Sequence, residues 1–167
     1  DKNDNLRNKL GFKSNDIICI YTGRFDNQKK PHLLANAIKI LNEKGLKQVK
    51  GLFIGAGSIE YTELLKNSST LVLPFVDYNK LPQYYRISNI AIWPKQESTS
   101  QLDALASGLP LILNDNIGVP ERVLECGFLY KDGSEFDLAY KIELLLDHNT
   151  RLNFSKNANI KAQNLYS

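Results

Sequence analysis

Apolar residues in this chain fall into short unbroken runs, separated by longer stretches in which they recur every three or four positions. The runs are IICIYT (17–22), GLFIGAG (51–57), TLVLPF (70–75), NIAIWP (89–94), PLILND (110–115) and GFLY (127–130). Runs of this length, apolar throughout rather than in alternation, read as strands buried on both faces. The first stretch between them repeats Leu33, Leu34, Ala37, Ile38 and Leu41 at helical spacing, with Pro31 near its start and Gly45 just past its end. A second helix is predicted from Ile59 to Leu65 behind Ser58 as cap, and a third from Leu81 to Arg86 with Pro82 in its first turn. Further helices are predicted at 102–107, 120–126, 135–146 and 151–165. Strand and helix alternate almost without exception, so the chain is α/β: a parallel sheet of about six strands covered by helices on both faces.

Such sheets bind ligands beyond the carboxyl ends of their strands, which directs attention to the residues after each run. After the first come Gly23 and Arg24, then Lys29 and Lys30. A guanidinium grips phosphate through a planar fork, and an ammonium adds a point charge; a solvated basic loop is the plainer account of Lys30. After the second run, Gly55-Ala56-Gly57 marks a tight turn or a close backbone approach. Phe75, Val76 and Asp77 follow the third run, where they form a wall for a nucleobase or simply pack. The fourth delivers ESTSQLDALASGLP (97–110), a helix entered by Ser98, Thr99 and Ser100. Free amides at such a start suit a phosphate, and Asp103 can accept bonds from two neighbouring hydroxyls, as on a ribose. The fifth run leads to Asn114-Asp115-Asn116 and then to Glu121, whose carboxylate is already accounted for by the start of the 120–126 helix.

Bulk properties narrow the classes. At 167 residues the chain is one domain by size, 43% hydrophobic and 23% charged, with no repeat or interior linker. A net charge of +3 suits an anionic small ligand but gives no basic stripe of the nucleic-acid kind. No apolar run is long enough to span a bilayer. Cys19 and Cys126 have no metal spacing and read as buried thiols of a reducing compartment. His32 and His148 lie in no triad-like arrangement. The chain opens on Asp1 and contains no Met, the expectation being a piece of a longer protein.

Together the motifs resemble the carboxyl-terminal half of the group 1 (family 4) retaining glycosyltransferases, enzymes with two Rossmann-like domains facing across a cleft, called GT-B. IYTGRFDNQKKPHLLANAI resembles the family's first strand with its Gly-Arg and downstream Lys, and GLFIGAGS its second strand and glycine turn. LPQYYRISNIAIWP resembles the helix and strand before the donor site, LDALASGLPLI the Leu-Glu-Ala-x-Ala-x-Gly-x-Pro segment, and IGVPERV the Gly-x-Pro-Glu turn. The resemblance implies a Rossmann-like, doubly wound domain over 1–167 that holds a nucleoside diphosphate sugar, with no cofactor and no metal. Arg24 and Lys29 would neutralise the departing diphosphate, aided by amides of Ser98, Thr99, Ser100 and Gln101. Asp103 would take the ribose hydroxyls, Gly55 would leave room for the nucleotide, and Gly23, of the Gly-Arg pair, would be a further binding position. Glu97 would touch the donor sugar. Here the sequence departs from the family, whose two glutamates enclose a longer, glycine-containing loop: five residues separate Glu97 from Asp103, and a gap-free count puts Lys95 at the first glutamate's place.

The implied reaction is front-face sugar transfer, with retention, to a glycan or lipid-linked acceptor. The acceptor domain is expected to be missing, the isolated domain inactive, and the whole protein cytoplasmic, with peripheral contact to the inner membrane through that missing half. Two other classes remain at this point: a flavodoxin-like or response-regulator binding module, and a catalytically inactive transferase-like domain.

Overall fold

A computed structural model describes residues 2–95, 98–118, 120–123 and 125–166. The chain begins with helix α1 (Lys2–Leu10), followed by strand β1 (Ile17–Thr22), α2 (His32–Glu43), β2 (Val49–Ile54) and α3 (Ile59–Glu63). Next come β3 (Thr70–Leu73), α4 (Leu81–Ile87), β4 (Ile90–Trp93), α5 (Ser100–Ala106), β5 (Leu111–Asn114) and β6 (Gly127–Tyr130). Helices α6 (Glu135–Leu144) and α7 (His148–Tyr166) complete the described chain.

All strand pairs are parallel, in the order β3-β2-β1-β4-β5-β6. That is the order of the dinucleotide-binding doubly wound fold, and it reverses direction between β1 and β4. Right-handed crossovers to the left of β1 and to the right of β4 put their helices on opposite faces. Accordingly α2 packs on α6, while α5 packs on α7 and α1 on α4. The predicted α/β architecture is therefore the observed one.

The core explains why these runs are strands. Ile18, Cys19, Ile20, Leu52, Phe53, Ile90, Ala91, Ile92, Leu111, Ile112 and Leu113 are buried, all from the four central strands, which lie between two helical layers. Helix α2 buries Leu33, Leu34, Ala37, Ile38 and Leu41 along one stripe, and Gly45 ends it with φ +102, a left-handed conformation that favours glycine. Both thiols are buried and unbridged.

Two expectations change. The helix predicted at 120–126 is a single 3₁₀ turn over Pro120–Arg122, because Glu125 turns left-handed at φ 66 and Gly127 starts β6 against the backbone of Leu111. The apolar pattern marks no element ahead of β1, whereas Lys2–Leu10 form α1. Its Arg7, 8% exposed, donates to the carbonyls of Ile87, Lys13, Ser14 and Asp16 and to Asn89 Oδ1, tying the helix to the end of α4 and to the segments that lead into β1 and β4.

Candidate nucleotide-binding cleft

A cleft of about 380 Å³ opens at the carboxyl ends of β1, β2 and β3, beside the point where the strand order reverses. Its volume falls within the ~300–1,000 Å³ usual for small-molecule sites. The floor is backbone. Beyond β1 the chain stays paired with the extension of β2: Gly23 N donates to Ile54 O (3.0 Å) and Phe25 N to Ala56 O (2.9 Å). Gly55 lies so close that a Cβ there would meet the Gly23 carbonyl oxygen at 1.8 Å. The space predicted to be left for a nucleotide is thus filled by that carbonyl, although Gly55 still lines the cleft. Gly23 itself has φ +144 and packs on Tyr21. The buried Tyr21 hydroxyl donates to Arg24 O at 2.7 Å, fixing the loop from beneath.

One wall is apolar, built from Ile54, Ala56, Phe75, Val76 and Leu81. Phe75 and Tyr78 are 73% and 69% exposed, unusual for large aromatic side chains in a folded domain. Such a wall suits the flat face of a base. Phe75 and Val76 take the predicted wall positions. Asp77 instead precedes the 3₁₀ turn Tyr78–Lys80.

Polar groups sit on the rim. The Arg24 side chain is 84% exposed, with only a loose contact to Asp26 at 3.8 Å, so its guanidinium is available to an anion at the end of β1. Lys29 is not on the cleft wall; it lies past Asp26, whose Oδ1 accepts from the Gln28 and Lys29 amides (3.0 and 2.9 Å). Asp103, in the first turn of α5, accepts a bond from the Tyr78 hydroxyl at 2.9 Å, which joins it to the wall.

Ser100 lines the cleft, but its amide donates to Ser98 Oγ at 3.2 Å. The Gln101 amide donates to Ser98 O at 3.1 Å. Thr99 occupies the cap position without a side-chain cap bond. Ser98 therefore caps the turn, and two of the amides assigned to phosphate are already engaged. The Gln101 side chain is fully buried, with Oε1 accepting from Arg122 at 2.6 Å. Glu97 lies outside the described residues.

The strand ends are held firmly. Trp93 Nε1 donates to Thr22 O at 2.8 Å, joining β4 to β1 across the reversal. The Thr22 hydroxyl pairs with that of Tyr85 at 2.8 Å, and burial pushes the Tyr85 phenol above its ordinary range despite that bond. Beyond β4, Tyr130 OH and Asn114 Nδ2 both donate to Pro94 O, and Asn114 also reaches Lys95 O. Lys95 then pairs with Asp132 at 2.8 Å. Four cleft residues, Thr22, Ile54, Tyr78 and Leu81, are not singled out by sequence reasoning. Tyr78 had a signal, an aromatic in a short loop at a strand's carboxyl end, whereas Thr22 and Leu81 looked like ordinary element termini.

A doubly wound parallel sheet in this strand order, with a cleft at its reversal, is the Rossmann-like architecture of one half of a GT-B protein. Residues 2–161 match the family described as Glycosyl transferases group 1, and the chain belongs to that family. It is 27% identical over 138 residues to spore coat protein SA of Bacillus subtilis, covering 73% of this chain and 36% of that one. To the putative glycosyltransferase EpsD of the same organism it is 29% identical over 149 residues, covering 84% and 39%. Among solved structures, sucrose-phosphate synthase of Thermosynechococcus elongatus superposes with TM-score 0.82 at 22% identity, covering 98% of this chain and 45% of that one. HepE of Anabaena, solved with UDP and glucose, superposes with TM-score 0.82 at 20% identity, covering 98% and 47%. The chain thus spans under half the length of these relatives. No described helix is long and apolar enough to cross a membrane, and no cluster of three or more potential metal ligands occurs among the described residues.

Proposed function

We propose that this chain is the donor-binding half of a retaining glycosyltransferase that moves a sugar from a nucleoside diphosphate to a glycan or lipid-linked acceptor. The observation that carries the reading is the cleft at the strand-order reversal, lined by exposed Arg24 and an apolar wall, with Asp103 just behind it, bonded to the hydroxyl of the lining Tyr78. The base lies against Phe75 and Val76, the ribose hydroxyls replace or join Tyr78 at Asp103, and the diphosphate meets Arg24. Lys29 adds charge from the same loop. As the sugar–phosphate bond breaks, negative charge grows on the departing diphosphate, and a cation fixed at the end of a strand stabilises that charge without reorganising. Retention by front-face displacement, independence of a metal and a cytoplasmic setting are carried from the family resemblance. A flavodoxin-like or response-regulator module loses ground, since those folds order their strands 2-1-3-4-5. An inactive transferase-like domain is the second reading, favoured by the Lys95–Asp132 ion pair at the end of β4, where the family places a glutamate.

Titration with UDP, GDP and ADP, followed by heat or amide shifts, tests the assignment. Saturable binding of one of them, weakened about tenfold or more in Arg24→Ala and in Asp103→Ala without loss of fold, is expected from the loss of a charge-assisted contact. Unchanged binding in both variants would remove the site from this cleft. In the complete enzyme, losing the Arg24 contact should lower the rate about 10²–10³-fold, by analogy with other fixed charge stabilisers.

A further inference from the structure

The opposite end of the sheet carries a second concave surface. Where the chain enters β1 and β2, a hollow of about 600 Å³ is lined by Lys13, Asn15, Asp16, Lys47, Gln48 and Lys50. Lys13 and Lys47 are exposed and Lys50 is half-buried. The described residues form five ion pairs, through Arg24, Lys44, Lys66, Lys95 and Lys141, and none engages these three lysines. The acid in the hollow, Asp16, is 4% exposed and spends Oδ2 on the Lys13 amide at 2.8 Å. The Arg7 guanidinium beside it offsets its charge. Positive charge is concentrated in this part of the chain: the first 50 positions hold eleven of the 21 basic residues and only five of the 18 acids.

Three ammonium groups around one concavity repel each other and are relieved when an anion sits among them. Lysine recognises phosphate as a point charge, and the amides of Asn15 and Gln48 offer neutral donors beside it. A carboxylate has two oxygens and one charge. A phosphate group presents three oxygens and up to two charges, which better matches three separate cations. We propose that this hollow binds a phosphate group, carried by a soluble phosphorylated molecule or by a lipid headgroup. The site is independent of the cleft, since its residues lie before or at the start of the strands whose far ends line the cleft.

Titration with inorganic tripolyphosphate, read from amide chemical shifts, should saturate and move the amides of Asn15 and Gln48. Replacing Lys47 and Lys50 together by Gln should weaken that binding about tenfold or more, the effect of removing two close charges in water. Lys39→Gln, at an exposed position on α2, should leave it unchanged. Co-sedimentation with phosphatidylcholine vesicles, with and without phosphatidic acid, then separates the two sources. Capture by the acidic vesicles that is lost in the double variant identifies a headgroup, and absence of capture alongside saturable tripolyphosphate binding identifies a soluble phosphate. Still amides at Asn15 and Gln48, or equal weakening by Lys39→Gln, would overturn the proposal and reduce the hollow to diffuse surface charge.

Discussion

Gly55 and Tyr21 hold the cleft floor by opposite means, one through an absent side chain and the other through a buried hydroxyl. In Gly55→Ala the new methyl would lie 1.8 Å from a backbone oxygen that cannot rotate away. The two loops must therefore part, at the ~1–3 kcal/mol typical of overpacking. The unfolding free energy from denaturant titration should fall by that amount and nucleotide affinity should fall with it; a variant with wild-type stability would contradict the contact. Tyr21→Phe keeps the ring but removes the bond to Arg24 O. It should lower stability by about 1 kcal/mol and weaken nucleotide binding less than Arg24→Ala does. Arg24 and Gly55 were legible from sequence because a buried strand fixes the position of the residues just past its end. Arg7 was not: a lone arginine in a polar stretch carries no trace of five acceptors, one of them 82 positions away.

At the scale of elements, the apolar runs located every described strand: the four central ones are buried on both faces, and the half-buried edge strands β3 and β6 are still almost wholly apolar. Boundaries shifted where polar residues intervene. β2 begins at Val49 rather than Gly51, including Lys50 within the strand. Beyond Ile54 only a single bridge, Phe25 to Gly57, prolongs it. α1 escaped notice because its tertiary contacts, more than any apolar stripe of its own, hold it in place. Capping shows the same limit. Ser134 accepts from the Asp137 amide at the start of α6 at 3.0 Å, whereas Thr99, at the equivalent place on α5, makes no cap bond. Ser134→Ala should therefore cost about 1 kcal/mol in chemical denaturation and Thr99→Ala close to nothing. Equal costs would show that α5 is capped in solution by the threonine hydroxyl.

The whole molecule responds to pH and to thiol reagents through its burial. His32, bonded at Nδ1 to the Tyr61 hydroxyl at 2.6 Å, is held below its ordinary value of 6.5, chiefly by desolvation and with Glu135 opposing. The unfolded chain thus binds a proton that the folded chain refuses, so stability falls as pH drops below about 6.5. Melting temperatures between pH 7.5 and 5 should decline, and the decline should shrink in His32→Gln; an identical slope in that variant would assign the effect elsewhere. Burial also pushes the Cys19 thiol up to about 12 and raises that of Cys126. Neither should react with a disulfide reagent at pH 8 until the protein unfolds, when both should appear together. The strand order needed the structure, because alternation of elements is common to every doubly wound sheet and does not reveal where the order reverses. That reversal places the cleft on a floor where the Gly23 carbonyl abuts Gly55, main chain against main chain. A floor of touching main chain admits no added side chain at Gly55, while the rim residues Phe75 and Tyr78 stand in solvent and can be exchanged at small cost in stability. Descendants of such a chain can therefore change the ligand they prefer by rim substitutions alone, while inheriting the same means of holding it.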